Sequence, residues 1–156
     1  MGVHLIWRLG IVLIAMLGIG GCADTELCLS NQHAVQVTFV STYQNTDTTL
    51  KSVSIHGLGR TDSIYSSQSL SEVFLPLSFD NEPDITSFII KVKDDTDIIK
   101  FFHHKELDFI SGECGYVFKF TLDSVITSRE TIDKALIVYP TIKYGEDVQN
   151  VTIYIY

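Results

Sequence analysis

After Cys28 the chain alternates apolar and polar positions with a period of two. In "HAVQVTFVST", Val35, Val37 and Phe39 fall on one side, and Gln36, Thr38 and Val40 on the other. "LKSVSIHGLG" repeats the pattern through Val53 and Ile55. "SEVFLPL", "ITSFIIKVK", "DIIKFF", "YVFKFTLDSV", "ALIVYPTI" and "NVTIYIY" follow at short intervals. Side chains of a strand point to opposite faces in turn, so this spacing predicts half-buried strands rather than helices. Each run is rich in Val, Ile, Phe, Tyr and Thr and is bounded by Gly, Asn, Asp, Ser or Pro. Regular short strands with turn signals predict an all-β chain: a single antiparallel β-sandwich, Ig-like or a related Greek key, of about eight or nine strands.

The connections are legible as well. "QNTDTT", "FDNEPD", "DDTD" and "YGEDVQN" are short, polar and acidic, as surface hairpin loops are. Pro76 and Pro140 sit at strand ends, where the missing N–H does least harm. In "TSRETIDKAL", Thr127 and Glu130 fit a capping box, which predicts one helical turn before the strand at Leu136. "FFHHKELDF" predicts a hairpin tip at His103 to Glu106, with both histidines exposed.

The N-terminus breaks the period. Leu9 to Ile19 is an apolar run relieved only by two glycines, preceded by Arg8. As a helix, Leu9 to Gly21 spans only about 20 Å, short of a hydrocarbon core of roughly 30 Å and suited to a signal-peptide h-region. Ile19-Gly20-Gly21-Cys22 resembles the bacterial lipobox, in which the chain is cut before the cysteine and its sulfur takes a diacylglycerol group. Ordinary secretory cleavage after Ala23 and an uncleaved anchor are the alternatives. The predicted organisation is a signal peptide over 1–21, a lipidated acidic tether over 22–30 and a sandwich domain over 31–156.

Loss of residues 1–21 leaves 135 residues, enough for one domain with a core. It also removes Arg8, so 10 basic residues face 19 acidic ones and the net charge is −9. Such a surface repels a phosphate backbone, so no nucleic-acid partner is expected, and no basic patch is present to hold anionic lipid. Membrane attachment would come from acyl chains on Cys22. The cysteine count then changes meaning. With Cys22 lipidated, Cys28 and Cys114 remain as an even pair in an oxidising compartment, or as two buried free thiols. Neither has a second Cys or His two to four residues away, as a zinc site would.

Candidate chemistry is sparse. His103 and His104 would point to opposite faces of a strand and cannot ligate one metal together. Asp94, Asp95 and Asp97 lack the glycine and distal carboxylate of a calcium loop and predict a solvated turn. Gly57 and Gly59 follow a strand without the third glycine or helix of a nucleotide fingerprint. There is no Gly-x-Ser-x-Gly elbow, and His33 and His56 have no evident partner. No catalytic residue, cofactor or metal is therefore assigned, and the expected role is non-catalytic. Asn150-Val151-Thr152 matches an N-glycosylation sequon but reads as a strand start. Asp47-Thr48-Thr49, Asp62-Ser63-Ile64 and Asp123-Ser124-Val125 resemble O-glycosylation acceptor sites of Bacteroidota, which would modify Thr48, Ser63 and Ser124.

In order along the chain, the lipobox, the cysteine shortly after it, "VTFVS", "LKSVSIHGLG", "IY", "EVFLPL", a Thr-rich strand and "FISGECG" resemble a family of uncharacterised Bacteroidota lipoproteins, a domain of unknown function. The resemblance runs from Cys28 to Tyr156. It implies an exported lipoprotein with a Cys28–Cys114 pairing and supplies no catalytic residues. Asp24 and Glu26 resemble the acidic stretch that marks some lipoproteins of that phylum for surface display. The resulting expectation is a binding or assembly module at the outer membrane, face undetermined, with an unidentified protein partner in the cell envelope. A small hydrolase on a β scaffold and an integral outer-membrane β-barrel are the alternatives.

Overall fold

The computed structural model describes Cys28, residues 34–79 and residues 84–156. Ten strands follow one another: β1 (Ala34–Ser41), β2 (Leu50–Gly57), β3 (Ser63–Leu70), β4 (Glu72–Pro76), β5 (Ile85–Val92), β6 (Asp95–Ser111), β7 (Gly115–Thr127), β8 (Ile132–Ile137), β9 (Thr141–Ile142) and β10 (Val151–Ile155). They form a four-stranded sheet, β4-β1-β10-β8, and a six-stranded sheet, β3-β2-β5-β6-β7-β9. The chain is thus an all-β sandwich of two sheets and not a closed barrel, which sets aside the barrel alternative.

The period-two runs place the core. Val35, Val37 and Phe39 of β1, Val73 and Leu75 of β4, and Val151, Ile153 and Ile155 of β10 turn inward from one sheet. Val53, Ile55, Phe88, Ile90, Ile99, Phe101, Phe120 and Leu122 meet them from the other, in one contiguous cluster. Pro76 ends β4 and Pro140 lies just before β9, as expected.

Three expectations need correction, and one strand comes as an addition. The sandwich is not purely antiparallel, because β1 and β10 pair in parallel from Val37↔Val151 to Ser41↔Ile155. Parallel neighbours need a long crossover, and here the whole domain serves as that connection. β3 was not visible in the sequence. It is a sheet edge, mostly exposed and rich in Ser, and its two residues packed against the core, Tyr65 and Leu70, stand too far apart to mark an alternation. "TSRETIDKAL" forms no helical turn; Ser128 to Thr131 is a loop leading into β8. Finally, His103 to Glu106 is no hairpin tip. "DIIKFF" and "FFHHKELDF" are parts of one strand of 17 residues, and the chain reverses only at Gly112 to Cys114.

Candidate functional site

The length of β6 and β7 shapes the most distinctive surface of the molecule. β5 stays paired with β6 only as far as Ile85↔Phe102, and β9 touches β7 only at Phe120 and Thr121. Beyond that level no third strand flanks β6 and β7 among the described residues, and they pair Glu106↔Lys119, Leu107↔Phe118, Asp108↔Val117, Phe109↔Tyr116 and Ser111↔Gly115. The result is a two-stranded arm. Its reversal is set by Gly115, whose φ of +68° suits glycine, and by the Cys114 N–H, which donates to Ser111 Oγ at 3.1 Å.

Alternation carries the core pattern out along this arm. Leu107, Phe109, Tyr116 and Phe118 share the face that begins inward with the buried Phe120. Phe109 and Tyr116 pack ring against ring at 5.2 Å, and Phe118 stacks on Phe79 at 6.0 Å. Yet Leu107 is 65% exposed, Phe109 57% and Tyr116 69%. The opposite face carries His104, Glu106, Asp108 and Lys119. There Lys119 Nζ donates to Glu106 at 2.9 Å; this hydrogen bond holds the Glu106 carboxyl below its ordinary pKa and raises that of Lys119. The arm is therefore an amphipathic ribbon.

Cys28 and Cys114 are joined by a disulfide, with Cα atoms 5.5 Å apart and a sequence separation of 86. The bridge places the N-terminal segment away from the middle of either sheet. It ties that segment to the tip of the arm. Cys114 Sγ also lies 3.8 Å from the Tyr144 hydroxyl, so the β9–β10 loop meets the same tip.

At the root of the arm sits His103, 3% exposed. Its Nε2 is 2.9 Å from Thr86 Oγ1, which also accepts the Ser78 N–H at 2.9 Å. The ring meets the Phe120 edge, with centroids 5.4 Å apart. Nδ1 finds no hydrogen-bond partner among the described residues. Burial pushes the imidazole pKa below 6.5, with nearby Asp84 opposing. A protonated ring would carry two N–H groups where Nδ1 finds no acceptor among the described residues. Asp84 is itself engaged by Lys105 Nζ, and that hydrogen bond lowers its carboxyl pKa. Thr86 lines a groove of about 700 Å³ together with Leu58, Arg60, Asp62, Ile64 and Leu77.

Two buried polar residues escaped the sequence reading. Asp94 lies in the exposed turn expected for all three aspartates and Asp95, also exposed, begins β6, whereas Asp97 is 1% exposed. Its carboxylate accepts Ser128 Oγ (2.7 Å) and the backbone N–H groups of Glu130 (3.0 Å), Thr131 (2.7 Å) and Ile132 (3.2 Å). Asn150 is 3% exposed and accepts the Gln36 N–H on Oδ1 at 3.0 Å, while Nδ2 donates to the carbonyls of Tyr139 and Thr141. The sequon asparagine is thus a clamp between β1, β9 and β10. Alternation held the signal for Asp97, since it shares the inward face of Ile99 and Phe101.

The remaining expected sites are dispersed. Cys22 and His33 lie outside the described residues. Thr48 is half-buried in the β1–β2 loop, Ser63 is exposed at the start of β3, and Ser124 is exposed on β7 opposite Phe102. His104 is exposed, and its Nδ1 lies 3.0 Å from Asp123. Gly57 ends β2, and Gly59 takes a φ of +82° in the turn that follows. Among the described residues no cluster of three or more His, Cys, Asp or Glu could hold a metal, and no helix is long and apolar enough to cross a membrane.

No curated protein and no solved structure matches the chain significantly. A family profile does, over residues 52–155, from β2 through the arm to the last strand. The chain belongs to the family of unknown function DUF6452.

Proposed function

We propose that the chain is an exported bacterial lipoprotein, of the Bacteroidota kind, anchored through Cys22, whose sandwich serves as a non-catalytic binding or assembly module at the outer membrane. One observation carries the reading: Cys28 and Cys114 are bonded, which leaves Cys22, at the end of the lipobox, as the odd cysteine. Structural disulfides belong to oxidising compartments, and a lone thiol in such a place calls for another chemistry. The rigid sandwich with an exposed apolar arm supports a recognition role, and a lipid tether would raise its local concentration.

The test is membrane fractionation with intact-mass measurement, wild type against Cys22→Ala. The wild type is expected in the membrane fraction, shortened by residues 1–21 and carrying diacylglycerol. The variant is expected to leave that fraction; its retention there overturns the anchoring. Crosslinking and pull-down from the same membranes would supply the partner. The same mass spectrum reads glycosylation at Thr48, Ser63 and Ser124 as added hexose mass.

The hydrolase alternative would draw, among the described residues, on the Thr86–His103 contact, a hydroxyl beside an imidazole at the border of a groove. Against it, no carboxylate orients Nδ1 among the described residues, and both residues are buried. Thr86→Val should leave any measured ester or peptide hydrolysis unchanged; its loss would favour the enzyme.

A further inference from the structure

We propose that the apolar face at the tip of the β6–β7 arm, Leu107, Phe109 and Tyr116, rests in the interface of the lipid bilayer, held there by the Cys28–Cys114 bridge. The inference rests on the lipid-anchor reading of Cys22. Cys28 follows Cys22 by six positions, so the anchor and the bridge stand no more than about 22 Å apart even in a fully extended chain. Cys28 is bonded to Cys114, three residues beyond the end of β6 at Ser111. The bridge thus holds this tip close to the acyl chains.

The chemistry of the tip fits that place. Aromatic rings and leucine face one way, and Tyr116 adds a hydroxyl of the kind that favours the headgroup level. Glu106, Asp108 and Lys119 face the other way, toward water. The net charge of −9 disfavours anionic lipid, so contact would be through apolar burial at a zwitterionic surface. A second copy of the chain is a poorer occupant. The three side chains expose about 350 Å² together, well below the roughly 800 Å² per partner that a stable dimer buries. A surface already tethered to the bilayer needs no such area.

The chain has one tryptophan, Trp7, within the segment removed on maturation, so Phe109→Trp gives a single reporter at the tip. Tyr43→Trp gives a control just past the end of β1, where Tyr43 is 80% exposed. Both full-length proteins are matured in membranes, purified and reconstituted in vesicles of phosphatidylcholine and phosphatidylethanolamine with brominated acyl chains. Quenching of the tip reporter is expected to exceed that of the control by about twofold or more, with the tip reporter shielded from aqueous iodide. Equal exposure of both to iodide overturns the proposal. Shielding from iodide without quenching by bromolipid also overturns it, and assigns the tip to protein, a neighbouring segment or a second copy. With Cys28 and Cys114 both changed to Ser, quenching at the tip should fall toward the control value while the protein stays in the vesicles; undiminished quenching overturns the role given to the bridge. Should that variant not fold, Leu107→Glu beside Phe109→Trp takes its place, with the same fall expected and the same overturning result for the apolar face. A mass lacking diacylglycerol refutes the anchor itself and is read separately from the fluorescence.

Discussion

Asp97 shows how much one carboxylate can organise. It holds three successive N–H groups and a hydroxyl at the entrance to β8, a loop that otherwise has no regular structure to satisfy its backbone. Asp97→Ala should cost roughly 2–4 kcal/mol, because buried donors are left unmatched; urea denaturation would read this as a lower midpoint at constant slope. Asn150→Ala should cost about 2–3 kcal/mol for the same reason. His103 acts through pH. Its folded-state pKa lies below 6.5, so below that value the unfolded chain binds more protons than the folded one. Stability is therefore at its full value above 6.5 and falls as pH drops from there through the lowered pKa. Melting temperatures measured across that window should decline more gently for His103→Phe than for the wild type. Asp84, Asp123, Lys105 and His104 stay in place in that variant.

At the scale of elements, the arm is where sequence and structure part most clearly. Alternation set Val35, Val37 and Phe39 on one side of their strand and ran on through Val53 and Ile55, and all five are buried, since one face of each strand is dry and the other wet. It could not tell that β6 runs past its neighbour β5, because how far a strand outreaches its partner depends on pairing between distant segments. Two polar histidines in succession thus looked like a tip, although His103 lies inside the core and only His104 outside. β3 escaped for the opposite reason, being a largely polar edge that sends Tyr65 and Leu70 toward the core with no alternating run between them. The cysteine pairing was legible by parity and resemblance; that it grips a hairpin tip was not. Replacing both cysteines by Ser opens a link across a separation of 86 residues, worth about 4.6 kcal/mol in the loop-entropy treatment. A loss of that order, or somewhat less, is expected in chemical denaturation, together with faster proteolysis between Lys105 and Lys119.

For the whole molecule, the joining of β1 to β10 is the feature with the widest reach. The first strand sits between β4 and β10, and its parallel contacts with β10 are made by Val151 to Ile155, at the very end of the sequence. A chain emerging N-terminus first cannot complete this sheet until those residues are available. Until then Val37 and Phe39 lack one wall of their core. Such distant pairing makes for slow closure, since the cost of bringing the ends together precedes the gain. Under the export proposed above, that delay would keep the polypeptide threadable while it crosses a membrane. The last strand is then a latch on the timetable of folding: deleting Val151 to Tyr156 should leave a chain that never becomes protease-resistant.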